Sequence, residues 1–378
     1  MALVEFTKGT DWPDNYSVTA LDNSWSVIKK VLKGGLSDGL EVLEVNAGDF
    51  QFTILVGKGM GLGHGKYKGL KLGWDSPVNG PVHPKYVELE RRNGLGWLDG
   101  FDEWLCRCGL VSNGPPGNSV DGGRYTLHGR ISNLPASALS IRTPENSNGI
   151  IEIKGVVEEA SLFSPKFVLE TTYSIEIGSN CLKITDKVSN LGSSKAAFQL
   201  LYHCNIGKPF LSENSYWKAP LIEIAPQTVN AAAAALDSYE RFGPSQPGFK
   251  EQVFICKPCS DSSGRSLATI VNPDINAAFV IRFDVKTLPC FTVWKNLGAI
   301  EEGYVVGLEP ATNYPNFSDF EKAQNRCVLL EPDHHWIGRV ELEVCQGKEE
   351  VQKIVNEINA LQIKLPNIHP SPVHPFTP

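Results

Sequence analysis

Apolar and polar positions alternate with a period of two along most of the chain, which is the pattern of half-buried β-strands. Phe167, Leu169, Thr171, Tyr173, Ile175 and Ile177 fall on one face of a run whose other face carries Glu170, Thr172, Ser174 and Glu176. Gly178-Ser179-Asn180 supplies a turn, and Leu182, Ile184, Asp186 and Val188 then alternate with Lys183, Thr185, Lys187 and Ser189 in a returning strand. After a second turn at 190–194, a third strand over 196–206 is expected to complete an antiparallel meander. Similar runs recur at 43–56, 149–157, 277–285, 303–309 and 339–345. Short strands between Gly- and Pro-rich turns predict an all-β sandwich or barrel.

Helical periodicity is sparse. It is clearest over 348–361, where Val351, Ile354, Val355, Ile358 and Leu361 form one stripe and Glu349 and Glu350 suit the positive N-terminal end. Beyond Leu365, prolines 366, 370, 372, 375 and 378 forbid continuation, so the tail is expected as an extended surface arm. The stretch 57–84 opens with Gly57-Lys58-Gly59-Met60-Gly61-Leu62-Gly63-His64-Gly65 and is expected as a long loop. It lacks the Lys-Ser/Thr ending and the following helix of a phosphate cradle, so its glycines are assigned to close backbone approach. The expected organisation is an N-terminal extension over 1–24, one β domain over 25–346, and a helix with a Pro-rich tail over 347–378.

With 378 residues the chain is long enough for a large single core. Its net charge of −7, with basic residues scattered, offers no surface for nucleic acid. The first residues lack a secretory apolar stretch and no run approaches the ~18 apolar residues of a membrane span, so a cytoplasmic protein without membrane partners is expected. The nine cysteines are an odd number, and Cys181, Cys204, Cys290 and Cys345 lie within apolar runs, which reads as buried free thiols. Cys256-Lys257-Pro258-Cys259 has no complement of suitable spacing, since Cys106-Arg107-Cys108 is too close for a zinc knuckle. No metal and no cofactor are expected.

Three distant segments end strand-like runs with groups that can hold or move a proton: Leu127-His128-Gly129-Arg130, Tyr202-His203-Cys204-Asn205 and Gly307-Leu308-Glu309-Pro310. Alternation puts His128 and Arg130 on one face, and puts His203 and Asn205 with Gln199 and Leu201 opposite Tyr202 and Cys204. A Glu and a His meeting across a cleft form a general base and general acid. Among the aromatic residues, Trp74, Trp97, Trp104 and Trp294 are candidates to stack on a ligand, with Trp294 favoured beside Lys295.

The segments 127–136 and 201–207, with Trp294-Lys295 and the run 303–313, resemble the aldose 1-epimerase (galactose mutarotase-like) superfamily. More closely, they resemble its uncharacterised branch, a domain of unknown function. The resemblance spans about residues 25–346. It implies a large antiparallel β-supersandwich with few short helices and a sugar cleft on a concave sheet. It also implies a reaction, the interconversion of α and β anomers of an aldose or aldose derivative. By position, Glu309 resembles the family's base, His203 its acid, and His128 a second histidine near the ring oxygen. Arg130, Asn205, Trp294, Lys295 and Asp237 are the further candidates for binding sugar. The competing readings are a non-catalytic carbohydrate sensor on the same fold, and a metal-dependent sugar isomerase using His128, His203 and Glu309. The partner in each case is a small carbohydrate. Neither the sugar nor the oligomeric state is legible.

Overall fold

The computed structural model describes residues 2–10, 12–120, 122–233 and 238–378. Among these residues the chain forms two large sheets, one of nine strands and one of fourteen, paired almost throughout in antiparallel register. The hairpin Lys166–Glu176 with Cys181–Asn190 lies in the middle of the nine-stranded sheet, and the predicted alternation is what buries its Phe167, Leu169, Tyr173 and Ile175. The expected all-β sandwich is the observed architecture.

The meander ends sooner than expected. Cys181–Asn190 takes His335–Gln346 as its second neighbour, while Ala196–Ile206 crosses to the other sheet between Leu105–Leu110 and Tyr304–Ala311. The reason lies in its sequence: nine consecutive residues from Phe198 to Ile206 are buried, which suits a central strand covered on both faces. Phe198, Leu200, Tyr202, Cys204 and Ile206 enter the core between the sheets, and Leu201 belongs to a separate cluster on the outer face.

The two sheets are joined by a buried ion pair. Arg107, on Leu105–Leu110, places Nε 2.5 Å from Oδ2 of Asp186 and Nη2 3.0 Å from its Oδ1, with both side chains out of water. The guanidinium also donates to the carbonyl of Met60 at 3.0 Å and to Tyr173 Oη at 3.1 Å.

Three other expectations need correction. The stretch 57–84 is not a long loop, because Gly61–Tyr67 and Leu70–Leu72 form a hairpin within the fourteen-stranded sheet. Its glycines do permit close approach: Gly59 has φ +60°, and a Cβ there would lie 2.6 Å from the carbonyl oxygen of Ile131. The first 24 residues are not an appendage, since Ala2–Thr7 pairs with Ala136–Thr143 and Tyr16–Thr19 with Ser26–Val31. The tail is partly built in: Asn367–Ile368 pairs in parallel with Leu221–Pro226, and Phe376 packs on Tyr314 with ring centroids 5.6 Å apart.

A helix spans Lys348–Leu361, and its Ile354 and Ile358 are buried in a cluster with Leu267, Val280 and Cys345. All nine cysteines are free. No helix among the described residues is long and apolar enough to cross a membrane.

Candidate active site

The middle of the fourteen-stranded sheet runs Leu105–Leu110, Ala196–Ile206, Tyr304–Ala311, Cys290–Leu297. Register places Cys106 opposite His203, Gly307 opposite both Asn205 and Trp294, and Glu309 opposite Thr292. Because side chains directly opposite share a face, His203, Asn205, Glu309 and Trp294 all emerge on the outer face of this sheet. His203 Nε2 and Glu309 Oε1 are 3.3 Å apart, and the two residues are only 4% and 2% exposed.

The hydrogen bonds assign the ring's tautomer. His203 Nδ1 lies 2.6 Å from Asn205 Oδ1. The amide of Asn205 is oriented by its nitrogen, which donates to the carbonyls of Glu103 at 2.9 Å and His203 at 3.2 Å. Oδ1 is therefore the acceptor and Nδ1 carries the proton. In the neutral ring the Nε2 lone pair then faces Glu309, whose Oε1 is buried without a hydrogen-bond partner among the described residues.

Electrostatics fit this reading. Burial, and then the charge of His128, bring His203 down to about 3, with the bond to Asn205 opposing. Burial holds Glu309 well above the usual carboxylate range, with His128 working against it. Both shifts favour the uncharged forms, a neutral His203 ring and a Glu309 carboxyl held toward its protonated state. His128 is different. Burial disfavours its charge, but the Cys108 thiol, the Asn113 carbonyl and Glu309 raise it to about 9. Burial alone would raise the Cys108 thiol, yet Cys106 and His128 bring it down to about 6.

Gly307 explains the Gly-Leu-Glu run. A Cβ at this position would lie 2.4 Å from Glu309 Oε1 and 3.2 Å from His203 Cε1, so the glycine leaves the space in which the pair meets.

His128 does not sit on a strand. It lies in a turn with φ +58°, and its Nδ1 is 2.8 Å from the carbonyl oxygen of Asn113. Its ring centroid is 5.5 Å from that of His203. The walls are aromatic. Phe101 and Trp294 approach the His203 ring edge-on at 5.1 and 5.4 Å, and Trp97 approaches His128 at 4.6 Å. Trp97 belongs to the 3₁₀ turn Gly96–Gly100. Just beyond this turn, buried Lys58 bonds the Gly100 carbonyl, Asp102 at 3.0 Å and Glu103 at 2.8 Å, which fixes the segment over the histidines.

Of the residues singled out in the sequence, Trp97, His128, His203, Asn205, Trp294 and Glu309 converge here. Asn205 spends its amide on His203 and Glu103. Lys295 faces the other way: Trp294 points to the site, so its neighbour must enter the inter-sheet side. There Lys295 Nζ bonds the carbonyls of Tyr239 and, at 3.0 Å, Arg241, and burial brings it down to about 7. Arg130 is exposed on the far side of the His128 turn, because a left-handed turn does not keep the period-two alternation assumed for it. Asp237 lies outside the described residues. Trp74 packs behind Phe101 at 5.1 Å, and Trp104 is in the inter-sheet core. Phe101, Asn113, Cys108, Gly307 and Lys58 were not recognised as part of the site. Only Gly307 carried a signal, two positions before Glu309 on the same strand. Among the described residues, no three His, Cys, Asp or Glu side chains form a group able to hold a metal.

Comparisons with known proteins agree with this fold. A candidate aldose 1-epimerase from Klebsiella pneumoniae subsp. pneumoniae is 30% identical, with a TM-score of 0.94 over 98% of this chain and 99% of that one. A galactose mutarotase-like protein from Clostridium acetobutylicum is 16% identical, with a TM-score of 0.57 over 85% of this chain and 98% of that one. The galactose 1-epimerase of Lactobacillus acidophilus is 12% identical, with a TM-score of 0.54 over 85% and 99% of the two chains. No functionally curated protein matches the chain. Residues 37–344 match the family described as domain of unknown function DUF4432, so the chain belongs to that family, an uncharacterised branch of the galactose mutarotase-like superfamily.

Proposed function

We propose that this protein is an aldose 1-epimerase, opening and reclosing the ring of an aldose or aldose derivative with Glu309 and His203 as its proton-transfer pair. The observation that carries this reading is the 3.3 Å approach of Nε2 to Oε1, with Nδ1 already committed to Asn205. The description of the Klebsiella relative is consistent with it.

In the forward step the Glu309 carboxylate takes the proton of the anomeric hydroxyl as the C1–O1 bond becomes a carbonyl. The C1–O5 bond breaks, its electron pair stays on the ring oxygen, and His203 Nε2–H supplies the proton that oxygen needs. Glu309 is now protonated and His203 neutral. Rotation about C1–C2 presents the other face of the aldehyde, and the reverse transfers close the second anomer and restore the pair. Each direction moves two protons, and the pair holds one of them at every stage, on His203 before ring opening and on Glu309 after it. The downward shift of His203 and the upward shift of Glu309 both favour the open-chain distribution, so a substrate must first draw a proton onto His203 for opening.

A separation of roughly one sugar ring, on the order of 5–8 Å, is expected for Glu309 and His203 acting from opposite sides of a substrate. The observed 3.3 Å overturns that expectation. O1 and O5 are bonded to the same carbon, so groups serving them must themselves be neighbours. The positive His128 supports an anionic Glu309, and Trp294, Trp97 and Phe101 offer ring faces to a pyranose.

Each positioned proton transfer contributes ~10²–10⁴-fold. Exchange NMR on freshly dissolved aldoses, uronates and sugar phosphates tests the reading. The native protein should accelerate anomer exchange for one class, and Glu309→Gln and His203→Asn should each lose ~10²-fold or more. Equal activity in native protein and both variants would remove these residues from the mechanism.

A further inference from the structure

Arg130 stands two residues from His128 but opens onto a different space. On that side is a hollow of about 680 Å³ between residues 111–119 and 123–130 on one wall and the hairpin tip of residues 161–165 on the other. This volume is within the range of small-molecule sites, roughly 300–1,000 Å³. Its floor holds two polar groups withdrawn from bulk water. Glu159, 4% exposed, comes from the end of Ile150–Ala160 in the nine-stranded sheet, and its Oε2 accepts from the amide of Leu110 at 2.8 Å. Ser112 is 2% exposed, and its hydroxyl has no hydrogen-bond partner among the described residues.

The remaining wall is mixed. Arg124 is held by Glu90 at 2.6 Å, and Arg130 acts on Glu159, whose carboxyl is raised by burial against the pull of that guanidinium, so each basic group on the wall has a carboxyl beside it. Tyr125 and Phe163 add aromatic surface, and Phe163 is 97% exposed at a left-handed turn position, φ +63°. Its ring is therefore free of packing contacts and open to a ligand in the hollow.

We infer that this hollow is a second binding site, for a neutral mono- or disaccharide. A guanidinium donates and a carboxyl accepts from neighbouring hydroxyls, and the apolar C–H face of a pyranose covers an aromatic ring. A balanced set of charges does not select an anion. The site lies behind the His128 turn, whose carbonyl accepts from Gly109 at 3.0 Å, one residue before the amide that holds Glu159. The inference does not depend on the proposed reaction.

Methyl α-D-galactopyranoside, methyl α-D-glucopyranoside and maltose are suitable probes, because the methyl glycosides cannot open at C1 and so report binding apart from turnover. Ligand-observed NMR titration of the full chain should show saturable binding of at least one of them, retained in Glu309→Gln. Arg130→Met and Phe163→Ser should weaken it about tenfold, as loss of a charged hydrogen bond or a stacking face implies. Phe163 is at the surface, so its replacement keeps the fold, and thermal melts verify that for both variants. Binding that is absent for all three probes, that is unaffected in both variants, or that is displaced by inorganic phosphate would overturn the inference. Anomer exchange measured on the same samples reports separately on Glu309 and His203.

Discussion

Asn205 accepts the Nδ1 proton of His203 at 2.6 Å from only two residues along the same strand, and so decides which nitrogen of the ring faces Glu309. The ordering of this amide by two backbone carbonyls makes it a positioning residue, acting on a substrate only through His203. Asn205→Ala should therefore lower kcat about ten- to a hundredfold with a small change in KM. Asn205→Asp should raise the His203 pKa by roughly 1–3 pH units from its present value near 3, the effect expected of a carboxylate next to an imidazole. Titration of the His203 ring protons by NMR measures this, and an unchanged midpoint in Asn205→Asp would contradict the assigned tautomer.

Glu309 places function against stability. Burial penalises its charged form, and Oε1 has no partner among the described residues. A glutamine amide has the same shape, carries no charge, and donates to the same Nε2. Glu309→Gln should consequently raise the melting temperature at pH 7, by on the order of 2 °C, while activity falls. Calorimetry of both proteins in one buffer checks the first part, and a lower melting temperature for the variant would mean that the carboxylate is stabilised in the native site.

Gly307→Ala probes the same geometry without touching a titratable group. The added methyl meets the end of a flexible side chain at 2.4 Å, so Glu309 swings aside and the backbone need not move. The variant should fold with near-native stability yet lose about tenfold or more in kcat. Retained activity would show that Glu309 works from another rotamer.

Asp186 was legible only in part. Its place on the inward face with Leu182, Ile184 and Val188 follows from alternation, and alternation likewise identified the buried face of Lys166–Glu176 and the outward row His203, Asn205. What alternation cannot show is a partner in another sheet. Arg107 is 79 residues away from Asp186, between two cysteines weighed only for a zinc site. The same limit hid the crossing of Ala196–Ile206, since a strand's neighbours depend on which sheet needs a doubly covered strand. Errors at Arg130 and Lys295 have a simpler cause. The first assumed strand geometry across a turn with positive φ, and the second grouped adjacent residues that a strand sends to opposite faces.

That buried pair makes its own prediction. Asp186→Asn removes one partner and leaves the Arg107 charge sealed between the sheets, a change that costs about 3–5 kcal/mol. Urea unfolding should show a lower midpoint with an unchanged slope. Replacing Arg107 and Asp186 together by apolar residues of similar volume should recover much of the loss, and failure to recover any would assign the cost to packing around Tyr173 and Met60.

The two histidines should leave opposite marks on stability as pH changes. His203 binds its proton more weakly in the fold, about 3 against an ordinary 6.5, so between these values the unfolded chain holds more protons. Its contribution is complete above pH 6.5 and is lost as pH falls toward 3. His128 binds its proton more tightly, about 9 against 6.5, so its contribution is complete below pH 6.5 and declines as pH rises to 9. Melting temperatures from pH 5 to 10 for native protein and for His128→Gln separate the two. The Cys108 thiol gives up its proton near 6 while His128 keeps its own to about 9, so the fold and the unfolded chain hold equal numbers of protons on this pair and the native advantage should stay nearly level from pH 7 to 9. In His128→Gln the His203 pKa should also rise, because the charge that helps depress it is gone, so the variant should hold its stability to lower pH than burial of His203 beside a cation permits. A difference that instead narrows steadily from pH 6 to 9 would show that Cys108 keeps its proton beside a charged His128, and that the two do not form a charge pair in the fold.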